Sequence, residues 1–165
     1  MNWELVIFIA TLGMSAAPLH PLSTEGTGWQ APTAGLQRIQ VCTLVPKEEV
    51  KKHLPWIDAL DRMPITEEPI GANGSSCGYP TVDVQVLAFN RGFLDAARKS
   101  APLETIPGIG DEAYFRNNQN RYAELFVKVG PRLLTLQAGA EGAGKMEAVK
   151  SRVIELAKVY VAKLR

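Results

Sequence analysis

The stretch Gly139-Ala140-Glu141-Gly142-Ala143-Gly144-Lys145-Met146 has the Gly-x-x-x-x-Gly-Lys spacing of a phosphate-binding loop. It falls between an expected strand and an expected helix, where backbone amides at the helix start and a lysine can hold an anion. Met146 nevertheless stands where that chemistry requires a Ser or Thr hydroxyl for magnesium, and no acidic strand is expected downstream. Glycines that release the chain from a sheet into a covering helix account for the pattern without a ligand. No nucleotide turnover and no cofactor are expected.

The other reactive residue types form no coherent set. Asp111 and Glu112 are adjacent, and neighbours on a strand point to opposite faces, so they do not read as an acid/base pair. One more naturally organises the loop while the other stays wet. Gly108-Ile109-Gly110 is too short for a dinucleotide fingerprint and precedes an expected hairpin instead of a helix. Ser75 and Ser76 lack a nucleophile-elbow context. His53 is the plausible ligand beyond His20, too few with two cysteines for a tetrahedral metal site. Asp58, Asp61, Glu67 and Glu68 read as surface charge as easily as ligands. No catalytic, cofactor-binding or metal site is expected.

Cys42 and Cys77 are too far apart for a Cys-x-x-Cys redox motif. Their reading depends on the compartment, which the N-terminus addresses. The apolar run Leu5 to Ala17, ending in Ser15-Ala16-Ala17, has the form of a secretory signal, although Met1-Asn2-Trp3-Glu4 lacks a basic side chain. In an oxidising compartment the two cysteines form a structural disulfide; without export they would be buried free thiols. The expected organisation is a signal peptide over 1–17, a Pro- and Gly-bearing linker over 18–37 with Trp29 as its large aromatic, and one domain over 38–165. Localisation is expected to be secreted or periplasmic. No transmembrane segment is expected in the mature form, and a retained leader would add membrane association.

The elements that must position these residues are read from periodicity. Lys47-Glu48-Glu49-Val50 after Pro46 opens a short helix with Val50, Leu54 and Ile57 on one stripe, ended near Pro55. The breaker-rich stretch 61–79 is expected to be loop. Val82, Val84, Val86 and Ala88 alternate with Asp83 and Gln85 as a strand. Asn90 caps an expected helix through Phe93, Leu94, Ala97 and Ala101. A hairpin follows over Glu112 to Val129, turning at 117–120, then a strand around Leu133 to Leu136. From Lys145, Met146, Val149, Val153, Leu156, Ala157, Tyr160 and Leu164 recur at helical spacing. The fold class is α+β: a mainly antiparallel sheet covered by a long C-terminal helix, a two-layer sandwich.

Tyr122 and Phe126 share a strand face with Lys128 beside Arg121, a stacking platform in principle. With 18 basic against 17 acidic side chains and a net charge of +1, the chain lacks the field a polyanion would require, so no nucleic-acid partner is expected.

Cys42-Thr43-Leu44-Val45 before a helix, Cys77-Gly78-Tyr79 before a strand, and Gly108-Ile109-Gly110-Asp111-Glu112-Ala113-Tyr114 before a hairpin resemble the actinobacterial cell-envelope proteins known as the DUF3558 lipoprotein family. The resemblance covers roughly residues 40 to 163. It implies a small exported α+β domain without established enzymatic activity, with Cys42 and Cys77 as the paired cysteines and Gly108, Gly110, Asp111, Ala113 and Tyr114 as the glycine-aspartate motif. The chain departs in lacking a lipidation cysteine after its leader. The expected function is an exported, non-enzymatic accessory or protein-interaction domain of the cell envelope, with an envelope protein or a small ligand as partner. The alternative is a small-molecule-binding protein, or a hydrolase using Glu112, His53 or the Gly-rich loops.

Overall fold

The computed structural model describes residues 35–165. The expected signal peptide (1–17), Trp29 and most of the expected linker lie outside the described residues. Seven strands form one antiparallel sheet: β1 (Thr66–Ile70), β2 (Gly74–Tyr79), β3 (Val82–Ala88), β4 (Glu104–Thr105), β5 (Glu112–Asn118), β6 (Tyr122–Val129) and β7 (Arg132–Gly139), in the order β1-β2-β3-β7-β6-β5-β4. After β3 the chain crosses to the far edge through helix α3 (Arg91–Ser100). It then meanders back, so that β7 closes against β3. The connections within each hairpin are too short for a parallel return, which fixes the antiparallel pairing.

Alternation along the strands gives the sheet two different faces. The register aligns Val84 with Leu136, Leu136 with Leu125 and Leu125 with Phe115, a continuous apolar row no more than 4% exposed at any member. Helix α4 (Met146–Leu164) lies on this face and buries Val149, Val153, Leu156, Ala157, Tyr160 and Val161. These are members of the expected stripe, with Val161 added. Each large apolar side chain removed from water here contributes about 1.5–3 kcal/mol.

Two short N-terminal helices, α1 (Val41–Leu44) and α2 (Lys47–His53), join the same core through Val41, Val50 and Leu54. Cys42 on α1 is disulfide-bonded to Cys77 on β2. The carboxylate of Glu67, the β1 residue paired with Cys77, accepts from the amides of Val41 at 2.6 Å and Cys42 at 2.8 Å. Glu67 is therefore a cap on α1 beside the disulfide, not the free surface charge its sequence context suggests.

One expectation is corrected. The stretch 61–79 is not mainly loop: it contains the β1–β2 hairpin. Its breakers serve the strands, since Pro69 sits on the edge strand, where a missing N–H is tolerated. At Gly74 a Cβ would lie 2.7 Å from the Ile70 carbonyl and 2.8 Å from Leu87. Helix α3 forms where expected and packs Leu94 and Ala97 on Phe126 and Leu133, on the sheet face opposite α4. Phe93, on the same helix as expected, is 42% exposed and meets Phe126 edge-on, with ring centroids 6.0 Å apart. Asn90 caps α3 as expected, its Oδ1 accepting from the Gly92 amide at 2.9 Å. Among the described residues, no helix is long and apolar enough to cross a membrane.

Candidate functional site

The most distinctive sequence motif holds the structure together at one end of the sheet. Gly108 and Gly110 take φ of 80° and 58°, and a Cβ on Gly110 would stand 2.4 Å from the Lys128 carbonyl. Asp111 accepts from the Gly130 amide at 2.8 Å and from Lys128 Nζ at 3.2 Å, tying this loop to the β6–β7 turn. The Gly130 amide and the Lys128 ammonium hold its carboxyl below the usual range. Glu112, the first residue of β5 and on the sheet face that carries α3, takes both terminal guanidinium nitrogens of Arg91 and the Tyr114 hydroxyl. Arg91 first, then Tyr114, lowers its pKa to about 2. Ala113 is buried in the main core, and Tyr114 carries Arg98 over its ring at 4.5 Å. Every member of the motif thus has a structural role.

The remaining sequence candidates are dispersed. His53 pairs with Glu49 on α2, which packs against the core face, whereas Glu112 belongs to the other face. Ser75 Oγ donates to the Ile39 carbonyl, and Asp61 pairs with Lys51. Among the described residues, no group of three or more His, Cys, Asp or Glu side chains is placed to hold a metal. In the Gly139–Met146 segment, Gly139 ends β7, a strand with antiparallel neighbours on both sides. Gly142 and Gly144 take φ of 82° and 84° to turn the chain into α4.

What sequence reading did not assemble is a polar strip on the sheet face that α3 leaves uncovered. Register places Asp83 opposite Gln137, Gln137 opposite Glu124, and Glu124 opposite Arg116. Strand neighbours stand about 4.8 Å apart, so the four side chains make one lateral row. Glu124 is only 8% exposed; its carboxylate is gripped by Arg116 and accepts from Asn118 Nδ2 at 2.9 Å. Arg116 also donates to Ser100 Oγ at 2.9 Å and stacks 5.5 Å from the Phe126 ring centre. Asp83 is half-buried, and its burial pushes the carboxyl pKa up; the Gln85 amide at 2.5 Å opposes this and the Glu68 charge adds to it. Asp83 is therefore a partly desolvated carboxyl beside the Glu124–Arg116 pair, which makes the strip a candidate site on its geometry.

The strip runs into a cleft at the end of the sheet remote from the glycine-aspartate motif. The β2–β3 turn, the β5–β6 turn and the loop into α4 converge there. A cavity of about 580 Å³ is lined by Thr81, Asn120, Arg121, Tyr122, Gly139, Ala140 and Glu141. It shares Thr81 and Tyr122 with a second hollow of about 260 Å³, which shares Asp83 and Gln137 with a third of about 160 Å³ over Glu124 and Arg116. The three hollows thus adjoin in series, and together they are termed the groove.

Its geometry is held under strain. Pro80-Thr81 makes a two-residue hairpin turn in which Thr81 takes φ 61°. That position favours Gly or Asn; a β-branched residue there costs about 1–2 kcal/mol. The Thr81 carbonyl accepts from the Gly139 amide at 2.7 Å. A Cβ on Gly139 would approach Thr81 Cβ to 3.0 Å, so glycine makes room for it. Trp56 Nε1 donates to the Gly139 carbonyl at 3.1 Å and fixes the strand end from behind. Across the groove Gln119 and Asn120 take φ of 54° and 58°, and Asn117 brackets Asn120 with two hydrogen bonds. Tyr122 is 39% exposed on the groove side. Of the two aromatics considered as a platform, Phe126 is packed beneath α3 and Tyr122 remains open. No protein-family model, no curated protein and no solved structure matches the chain.

Proposed function

We propose that this is an exported accessory domain of the cell envelope that acts by binding, with the loop-end cleft and its polar strip as the recognition surface. The observation that carries the reading is the groove itself: one open aromatic, one strained hydroxyl-bearing turn and a row of polar side chains fixed in register. The Cys42–Cys77 disulfide supports an oxidising compartment, since such bonds persist outside the reducing cytosol. The resemblance to the envelope lipoprotein family is in keeping with this reading. For the hydrolase alternative, Glu112 is committed to Arg91, and His53 belongs to the other sheet face.

A photo-reactive phenylalanine analogue in place of Tyr122 tests the proposal in intact cells, with the same analogue at the exposed Lys99 as control. The expected result is a cross-linked adduct from position 122, absent from position 99, in the extracytoplasmic fraction. Equal labelling from both positions, or protein confined to the cytoplasm, would overturn it.

A further inference from the structure

The side chains around the cleft specify the chemistry of what it holds. Charges of both signs face it: Arg121 and Glu141 at its mouth, Asp83 and the Arg116–Glu124 pair along the strip. The Arg121 and Glu141 side chains have no ion-pair or hydrogen-bond partner among the described residues, although the Arg121 backbone is bonded to Asn118 and Ala140, whereas Arg116 and Glu124 hold each other. A polyanion would meet Asp83, Glu124 and Glu141; a cation would meet Arg121 and Arg116. Neither sign is favoured, and a neutral ligand avoids both conflicts.

The polar groups are amides, carboxylates, a guanidinium and a hydroxyl, which together donate and accept in pairs. Such planar two-atom groups match the adjacent hydroxyls of a sugar ring. Tyr122 supplies the other half of that recognition, a flat apolar face with a polar tip, open to solvent beside the hydroxyl of Thr81. The hollows adjoin in series, the first and second at Thr81 and Tyr122 and the second and third at Asp83 and Gln137, which offers positions for more than one ring.

We propose that the cleft and strip bind a neutral oligosaccharide, with one sugar ring stacked on Tyr122 and its hydroxyls held by Thr81, Arg121 and Glu141. Further rings lie along Gln137 and Asp83. The proposal rests on the binding function above and names its ligand class.

The test is amide-resolved NMR titration of the oxidised full chain with neutral hexasaccharides of glucose, mannose, arabinose and N-acetylglucosamine, and with hexagalacturonate as the anionic control. The expected result is saturable shifts at Thr81, Arg121, Tyr122 and Glu141 with at least one neutral chain. Tyr122→Ala should weaken that binding about tenfold, a loss of the size set by one stacked ring. Tyr122→Phe should hold it within about threefold, and both variants should keep the parent melting temperature. Absence of saturable shifts with every neutral chain, tighter binding of the anionic one, or unchanged affinity in Tyr122→Ala would overturn the glycan assignment. A cross-linked protein adduct from position 122 with no glycan shifts would overturn this assignment and leave the binding function standing. No adduct and no shifts would overturn both.

Discussion

Removing the Arg116 side chain should destabilise the domain far more than an exposed-arginine substitution does. Glu124 is 8% exposed, and its carboxylate has two protein partners, Arg116 and Asn118. Arg116→Ala leaves that charge enclosed with one amide donor, and breaking a buried pair in this way costs about 3–5 kcal/mol. The Arg116 side chain is itself 20% exposed, so water can partly replace it and the lower value of about 3 kcal/mol applies. Glu124→Gln keeps the shape and leaves a guanidinium that reaches solvent, a loss of about 1–2 kcal/mol. The double replacement Arg116→Met with Glu124→Leu removes both charges together and should fall within about 1 kcal/mol of the parent. Urea denaturation of the oxidised protein, followed by far-UV circular dichroism, reads all three differences at constant slope. A cost below about 1 kcal/mol for Arg116→Ala, or losses in the double variant equal to the sum of both truncations, would refute the buried-pair reasoning.

Leu156→Ala, at a fully buried position of α4, should cost about 2–4 kcal/mol by the same assay, while Lys158→Ala should change stability by less than about 0.5 kcal/mol. Equal near-zero effects would contradict the packed helix. Carboxyl-resolved NMR should place the Glu112 titration near pH 2, moving toward the ordinary 4.5 in Arg91→Gln. Because the folded value is depressed, the stability this pair contributes is complete above the unfolded value and is lost as pH falls toward 2. Asp83 has the opposite sign: its raised folded value means that its ionisation disfavours the fold as pH rises. Asp83→Asn should therefore raise the melting temperature at neutral pH, and a fall would contradict the desolvation of that carboxyl.

The parts legible in the sequence are those with local causes. The alternation of β3, the stripe of α4 and the Asn90 cap follow from neighbouring residues, and each is found where periodicity places it. The β1–β2 hairpin was hidden because Pro69, Gly74 and Gly78 carry low intrinsic strand propensity. Pairing with β3 supplies what propensity lacks. The exposure of Phe93 is not legible, because apolar spacing cannot tell a helix face covered by the sheet from one at its rim. The strip was invisible for a different reason: Asp83, Gln137, Glu124 and Arg116 come from four strands, and only register and strand order bring them into one row. Thr81 leaves a faint signal, a Pro-Thr pair between two strands where glycine or asparagine is the usual second residue. Its strain depends on a turn flanked by β2, whose glycines disguise it as loop in the sequence.

The central claim is that this domain works outside the cytoplasm, stapled by Cys42–Cys77, and it is tested most directly on protein taken from the cell that makes it. Extracytoplasmic and cytoplasmic fractions are denatured, alkylated with and without prior reduction, and weighed by intact-mass spectrometry. The account predicts protein in the extracytoplasmic fraction that gains two alkyl groups only after reduction, one on each cysteine of the bond. Protein confined to the cytoplasm, with both thiols labelled before reduction, would contradict it.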